Sequence, residues 1–247
     1  MHNNFIRTAN LPQRRVTLAA AGDYPHITAA LEGLGIRVLS FRDNTLPREV
    51  CRHADMLLCH TGGASVFCAP TVDTAQLKGL GFITSVCATL GEKYPLDVPL
   101  NVAVGSEIFV YNPKTADNAL TKALSASGKK GIPVKQGYSK CSVCFVTENA
   151  VITEDEGIKN ALEKIGAQVL LISKGDIYLS DSHYGFFGGC TGKLDKDVLA
   201  LTGELKYHKD GERIRAFCEK QGVSVLELVK GKITDIGGIL PLCQTDA

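Results

Sequence analysis

Five times along the chain a stretch with helical spacing meets a glycine and passes directly into a short β-prone run. The junctions are Gly35-Ile36-Arg37-Val38, Gly81-Phe82-Ile83-Thr84, Gly131-Ile132-Pro133-Val134, Gly166-Ala167-Gln168-Val169 and Gly222-Val223-Ser224-Val225. They recur at intervals of 35 to 56 residues. Self-similarity at such a period marks a repeat architecture, in which each unit is too small to bury its own apolar face and must stack on its neighbours. A functional site is then expected where the repeats meet.

The fourth repeat shows the unit most clearly. Ser142 to Thr147 is a β-prone run, Glu148-Asn149 is a tight turn, and Val151-Ile152-Thr153 is the return strand. Glu154-Asp155-Glu156 then sets acids at a helix start, and Ile158, Ala161, Leu162 and Ile165 follow at helical spacing up to Gly166. Val169 to Ile172 is fully apolar, as expected of a strand covered on both faces. In the third repeat Asn101–Val104 and Ile108–Val110 form the hairpin, and Asp117 caps a helix carrying Leu120 and Leu124. Pro133, which cannot donate to a ladder, makes that unit's last strand an edge or an irregular one. The second repeat runs from Met56–Cys59 through Thr61-Gly62-Gly63, and the fifth turns at Asp195-Lys196-Asp197. The first lacks one strand, which Ile236–Leu242 at the other end of the chain can supply. The inference is an α/β fold with residues 1–247 in one domain. Its five units close a ring, with the helices outside and one strand of each unit near a central channel.

Composition narrows the partners. The 27 basic and 26 acidic residues leave a formal charge of +1 with no basic cluster, which argues against nucleic acid and anionic membrane. No apolar run approaches the roughly 20 residues of a membrane-spanning helix. Met1 to Gln13 lacks the apolar centre of an export signal, so the expected compartment is the cytoplasm. The nine cysteines read as free thiols. Cys59, Cys68, Cys87 and Cys218 are flanked by apolar residues and read as small core residues. Cys141 and Cys144 fall on one expected strand, pointing to opposite faces, and no second pair accompanies them. No metal and no cofactor are therefore expected.

The unit pattern resembles the pentein superfamily of guanidine-modifying enzymes, which includes arginine and agmatine deiminases, dimethylarginine dimethylaminohydrolase and glycine amidinotransferase. The segments Gly137-Tyr138-Ser139-Lys140-Cys141-Ser142, Ile152-Thr153-Glu154-Asp155 and Gly185-Phe186-Phe187-Gly188-Gly189 look like an uncharacterised bacterial branch related to these enzymes. The resemblance implies a five-bladed β/α propeller. It also implies a cysteine nucleophile, a histidine and guanidinium-holding carboxylates at the starts of successive inner strands. A thiolate attacks the guanidinium carbon, the histidine moves protons, and carboxylates hold the delocalised cation. Here the closing signature reads Gly237-Gly238-Ile239-Leu240-Pro241-Leu242-Cys243. Pro241 stands at the nucleophile's place, and Cys243 lies about 7 Å further along a strand. The glycine–histidine pair corresponds to Gly189-Cys190, and the acidic position falls near Ser139 with Lys140 beside it.

Two classes of function follow. One is a divergent hydrolase or transferase acting on a small amino-acid-like substrate of guanidine or amidine type in the channel. The other is a non-catalytic pentein that binds a small molecule or a protein; a homo-oligomer is open in either case. Cys190, between glycines in Gly188-Gly189-Cys190-Thr191-Gly192, is the candidate nucleophile or else a small residue in a crowded strand. His183, in the polar loop ahead of the fifth unit, is the candidate proton carrier or else a solvated histidine. Ser139, Cys141 and Asn101 are candidate ligand-binding residues at inner strands. Lys140 either binds a carboxylate or phosphate or extends to solvent. His60 either enters the channel or flanks the Gly62-Gly63 turn, which lacks the lysine and hydroxyl of a phosphate loop.

Overall fold

The computed structural model describes residues 4–87, 90–180, 182 and 184–246. Strand β1 (Val16–Gly22), helix α1 (Pro25–Gly33) and β2 (Arg37–Phe41) open the chain. A one-turn helix α2 (Ala54–Leu57) leads into β3 (Leu58–Gly62), β4 (Ser65–Cys68), α3 (Ala75–Gly79) and β5 (Ile83–Val86). The third unit is β6 (Ala103–Val104), β7 (Ile108–Tyr111), α4 (Asn118–Ala126) and β8 (Lys130–Pro133). The fourth is β9 (Cys144–Thr147), β10 (Ala150–Thr153), α5 (Glu156–Glu163) and β11 (Gln168–Leu171). The fifth is β12 (Thr191–Asp195), β13 (Val198–Leu201), α6 (Gly211–Lys220) and β14 (Ser224–Glu227), and β15 (Ile239–Gln244) ends the chain.

These strands make five three-stranded sheets of one design: an antiparallel pair, then a helical crossover to a parallel third strand. The first sheet takes its antiparallel strand from the far end of the chain, with Val16 opposite Gln244 and Ala21 opposite Ile239. The local signals act as expected. Thr147 faces Ala150 across the Glu148-Asn149 turn. Asp155 caps α5 by accepting from Ile158 N at 2.9 Å, and Asp117 caps α4 by accepting from Leu120 N at 2.8 Å.

Each apolar cluster is shared by two sheets. Ile158 and Leu162 of α5 pack between the third and fourth sheets, against Val110, Ile132, Phe145 and Val151. Ile214 and Cys218 of α6 lie between the fourth and fifth, against Ile152 and Leu201. The first and second sheets share Leu18, Leu39, Val66 and Leu77, and the second and third share Phe67, Phe109 and Leu120. A last cluster joins the fifth sheet to the first through Leu194, Ala200, Ala19 and Ile239. Among the described residues no helix is long and apolar enough to cross a membrane.

Three expectations need correction. Gly131 does not close a helix: α4 ends at Ala126 with Ser127 as its C-cap and the left-handed residue is Gly128, φ 87°, while Gly131 lies in β8 against the rings of Phe109 and Tyr111. The apolar run after Gly166 is only partly covered: in β11, at the edge of its sheet, Gln168 is exposed and Val169 to Leu171 are half-buried, whereas every residue of β10 in the middle is buried. Cys141 and Cys144 do not share a strand. Residues 139–142 form a helical turn, with Ser142 N donating to Tyr138 O at 3.0 Å, and β9 begins only at Cys144.

Candidate functional site

The segments that lead into β3, β6, β9, β12 and β15 converge. They carry His53 and Asp55, then Asn101, then Lys140 and Cys141, then Gly188 to Cys190, and finally Asp235 to Gly238. Backbone bonds tie them together: Gly189 N donates to Cys141 O at 2.9 Å, Gly238 N to Gly189 O at 2.7 Å, and Asp55 N to Gly237 O at 3.3 Å.

Asn101 is the hub of one side. Its Oδ1 accepts from Lys140 N at 2.8 Å and Cys141 N at 3.2 Å, which holds the helical turn, while Nδ2 donates to Cys141 Sγ at 3.2 Å. The Cys141 thiol in turn donates to Asp55 Oδ2 at 3.0 Å. On the other side Asp235 accepts from Phe186 N at 2.8 Å and Gly237 N at 3.0 Å, and its Oδ1 stands 3.7 Å from His53 Nδ1. Gly237 is required here. It has φ 74°, and a β-carbon would lie 2.4 Å from His53 Cβ.

The cluster is closed from solvent. His53, Asp55, Asn101, Cys141 and Asp235 are each at most 1% exposed. Burial raises the Asp55 pKa to about 6, opposed by Lys140 and His53. Burial, then the Asp55 and Asp235 carboxylates, hold the Cys141 thiol well above its ordinary value, so it rests protonated. Burial likewise pushes the neighbouring Glu154 up to about 8. Both ring nitrogens of His53 and Oδ1 of Asp55 lack a hydrogen-bond partner among the described residues.

The sequence-expected residues divide. Asn101, Lys140 and Cys141 join the cluster. Lys140 does not extend to solvent: it is 6% exposed and its Nζ donates to Gly188 O at 3.3 Å. Ser139 is adjacent in sequence but its hydroxyl donates to Gln136 O at 2.7 Å, which serves the turn. Cys190, expected as nucleophile, closes a 3-10 turn over Phe187–Cys190. Its thiol donates to Phe187 O at 3.1 Å, and the residue packs in the core with Val146, Ile152 and Leu199. His60 flanks its turn, with Nε2 2.9 Å from Gly63 O, and stays outside the cluster. His183 lies outside the described residues. Sequence reasoning missed His53, Asp55 and Asp235. The available signal was position, since each lies just ahead of the first strand of a unit.

Comparison with known proteins agrees with this architecture. A family model described as a family of unknown function (DUF6873) matches residues 21–240. No curated protein matches the sequence. Inosamine-phosphate amidinotransferase from Streptomyces griseus is similar in structure, with TM-score 0.58 and 12% identity over 98% of this chain and 97% of that one. An amidinotransferase of the saxitoxin biosynthetic pathway from Microseira wollei has TM-score 0.54 and 9% identity over 99% and 98%. Agmatine deiminase from C. jejuni has TM-score 0.54 and 11% identity over 90% and 89%. The shared feature is the fold, a mixed α/β fold.

Proposed function

The chain belongs to the DUF6873 family, and from its buried centre we propose that it is a divergent hydrolase or transferase acting on the amidine or guanidine group of a small amino-acid-like substrate. The observation that carries this reading is the meeting of one thiol, one imidazole and two carboxylates, drawn from three separate units, at a single point. The sequence puts a proline where the superfamily's cysteine is expected, yet Cys141 brings a thiol to the shared end of the inner strands. The same reading takes the five sheets as blades of a propeller. Its support is the run of apolar clusters between consecutive sheets, which returns from the fifth to the first.

In the proposed reaction Asp55 and Asp235 hold the delocalised cation. Asp55 takes the proton of Cys141, and the thiolate forms a bond to the central carbon while a C=N electron pair moves to nitrogen. Collapse of that adduct breaks a C–N bond, and the departing amine leaves with a proton supplied through His53. Water or an acceptor amine then releases the carbon from sulfur.

The test is a panel of small guanidino and amidino amino acids, with amine release and transfer to hydroxylamine as readouts. Turnover is expected with wild type and with Cys190→Ser, and a drop of more than about a hundredfold with Cys141→Ser. Undiminished turnover in Cys141→Ser would overturn the assignment. The second reading, a binding protein without catalysis, is favoured by the complete burial of the four groups. It predicts no turnover of any probe, with a rise in melting temperature when one of them binds.

A further inference from the structure

One ligand atom from each of His53, Asp55 and Cys141 lies within 4.8 Å of the others. All three residues are buried, and three of their polar atoms, both imidazole nitrogens and Asp55 Oδ1, have no hydrogen-bond partner among the described residues. Leaving a buried polar atom unpaired costs about 1–3 kcal/mol, so three in one spot call for a ligand. We propose that His53, Asp55 and Cys141 form a three-ligand site for a divalent transition metal of borderline softness, with zinc as the type.

The donor set selects the ion. Thiolate sulfur, imidazole nitrogen and carboxylate oxygen are the ligands of zinc, whereas magnesium and calcium take oxygen alone. Three protein ligands leave a fourth tetrahedral position open. The 3.0 Å between Cys141 Sγ and Asp55 Oδ2 is already shorter than the edge of about 3.5 Å expected from metal–ligand bonds of about 2.0–2.3 Å. Supporting contacts are also in place. Asp235 Oδ1 stands 3.7 Å from His53 Nδ1, beyond hydrogen-bond distance but close enough to orient a ligating histidine once the ring settles on a metal. Asn101 Nδ2, at 3.2 Å, donates a hydrogen bond to the sulfur.

When a divalent ion binds, the sulfur–metal bond forms as the S–H bond breaks, and the proton departs to solvent. A metal held in this way occupies Cys141 and Asp55, so it excludes a substrate attacked by the same thiol. The site stands or falls independently of the amidine reading.

Cobalt(II), a spectroscopic substitute for zinc, tests the site in the full chain, metal-stripped and under reducing conditions, with readings taken at equilibrium. One equivalent is expected to give a thiolate-to-cobalt charge-transfer band in the near ultraviolet, together with visible bands of a tetrahedral ion, all bleached by zinc. Cys190→Ser should keep the band and Cys141→Ser should lose it. Asp235→Asn should weaken affinity about 10- to 100-fold while keeping the band. If Cys141→Ser does not fold, alkylation of the wild type with and without zinc reads the same contact, with Cys141 the thiol protected. No band, a band that survives Cys141→Ser, or zinc protection of a different cysteine overturns the proposal. None of these readouts involves guanidine turnover.

Discussion

Glu154 is 3% exposed, and Phe187 N lies 3.4 Å from both of its carboxyl oxygens. Because burial raises its pKa from 4.5 to about 8, the folded state holds the proton more tightly than the unfolded chain does. Its stabilising contribution is complete below the unfolded value and is lost as pH rises through about 8. Asp55, raised from 3.8 to about 6, acts in the same direction over a more acidic interval. Lys193, lowered by burial to about 8, acts oppositely: the folded state bears its cost below that pH and is relieved above it. From about pH 5 to pH 8 the two acids set the trend, and stability is expected to fall. In Glu154→Gln that fall should be flatter by about 2 kcal/mol, measured as urea midpoints at several pH values. Parallel curves for variant and wild type would contradict this account of Glu154.

At the level of elements, the glycines separate into those that need a conformation and those that need space. Gly128 has φ 87°, and nothing lies within 4 Å of the point a β-carbon would take, so Gly128→Ala should cost about 1 kcal/mol through backbone strain alone. Gly237 has both constraints, φ 74° and a β-carbon position 2.4 Å from His53 Cβ. Gly237→Ala should therefore cost several times more and displace His53; thermal melts of the two variants, with equal losses as the contrary result, check this. Hairpins and caps were legible in the sequence because each depends on residues within four of one another, as with Asp155 and Ile158 N. The turn at Cys141 was not legible. Its amides are held by the side chain of Asn101, forty residues away, so a β-prone pattern gave way to a contact that no local window contains. His53 and Asp235 were hidden for the same reason, since only the assembled sheets bring those segments together. The topology was readable because it repeats, whereas the site is made of the residues at which the repeats differ.

For the whole molecule, the pairing of β15 with β1 decides whether the first sheet is complete. Ile6 N donates to Leu242 O at 3.0 Å and Thr245 N to Arg15 O at 2.9 Å, so both terminal regions are fastened to this seam. Ending the chain at Gly238 would leave β1 as an open apolar edge and strip Leu240 and Leu242 from the cluster shared with the second sheet. Such a variant is expected to aggregate and to lose amide protection in β1, whereas a monomer with wild-type exchange in β1 would show that the seam is dispensable. The seam also imposes an order on biosynthesis. The second to fifth sheets are each built from contiguous chain and can form as the chain emerges; Val16–Gly22 can pair early with β2 but must wait for its antiparallel partner more than 200 residues downstream. At about 5–20 residues per second that delay is on the order of 10–40 s, during which one edge of an apolar strand stands open and within reach of chaperones. Asp235 leaves the ribosome just before that strand, so the polar centre is completed only after its other four segments have been made.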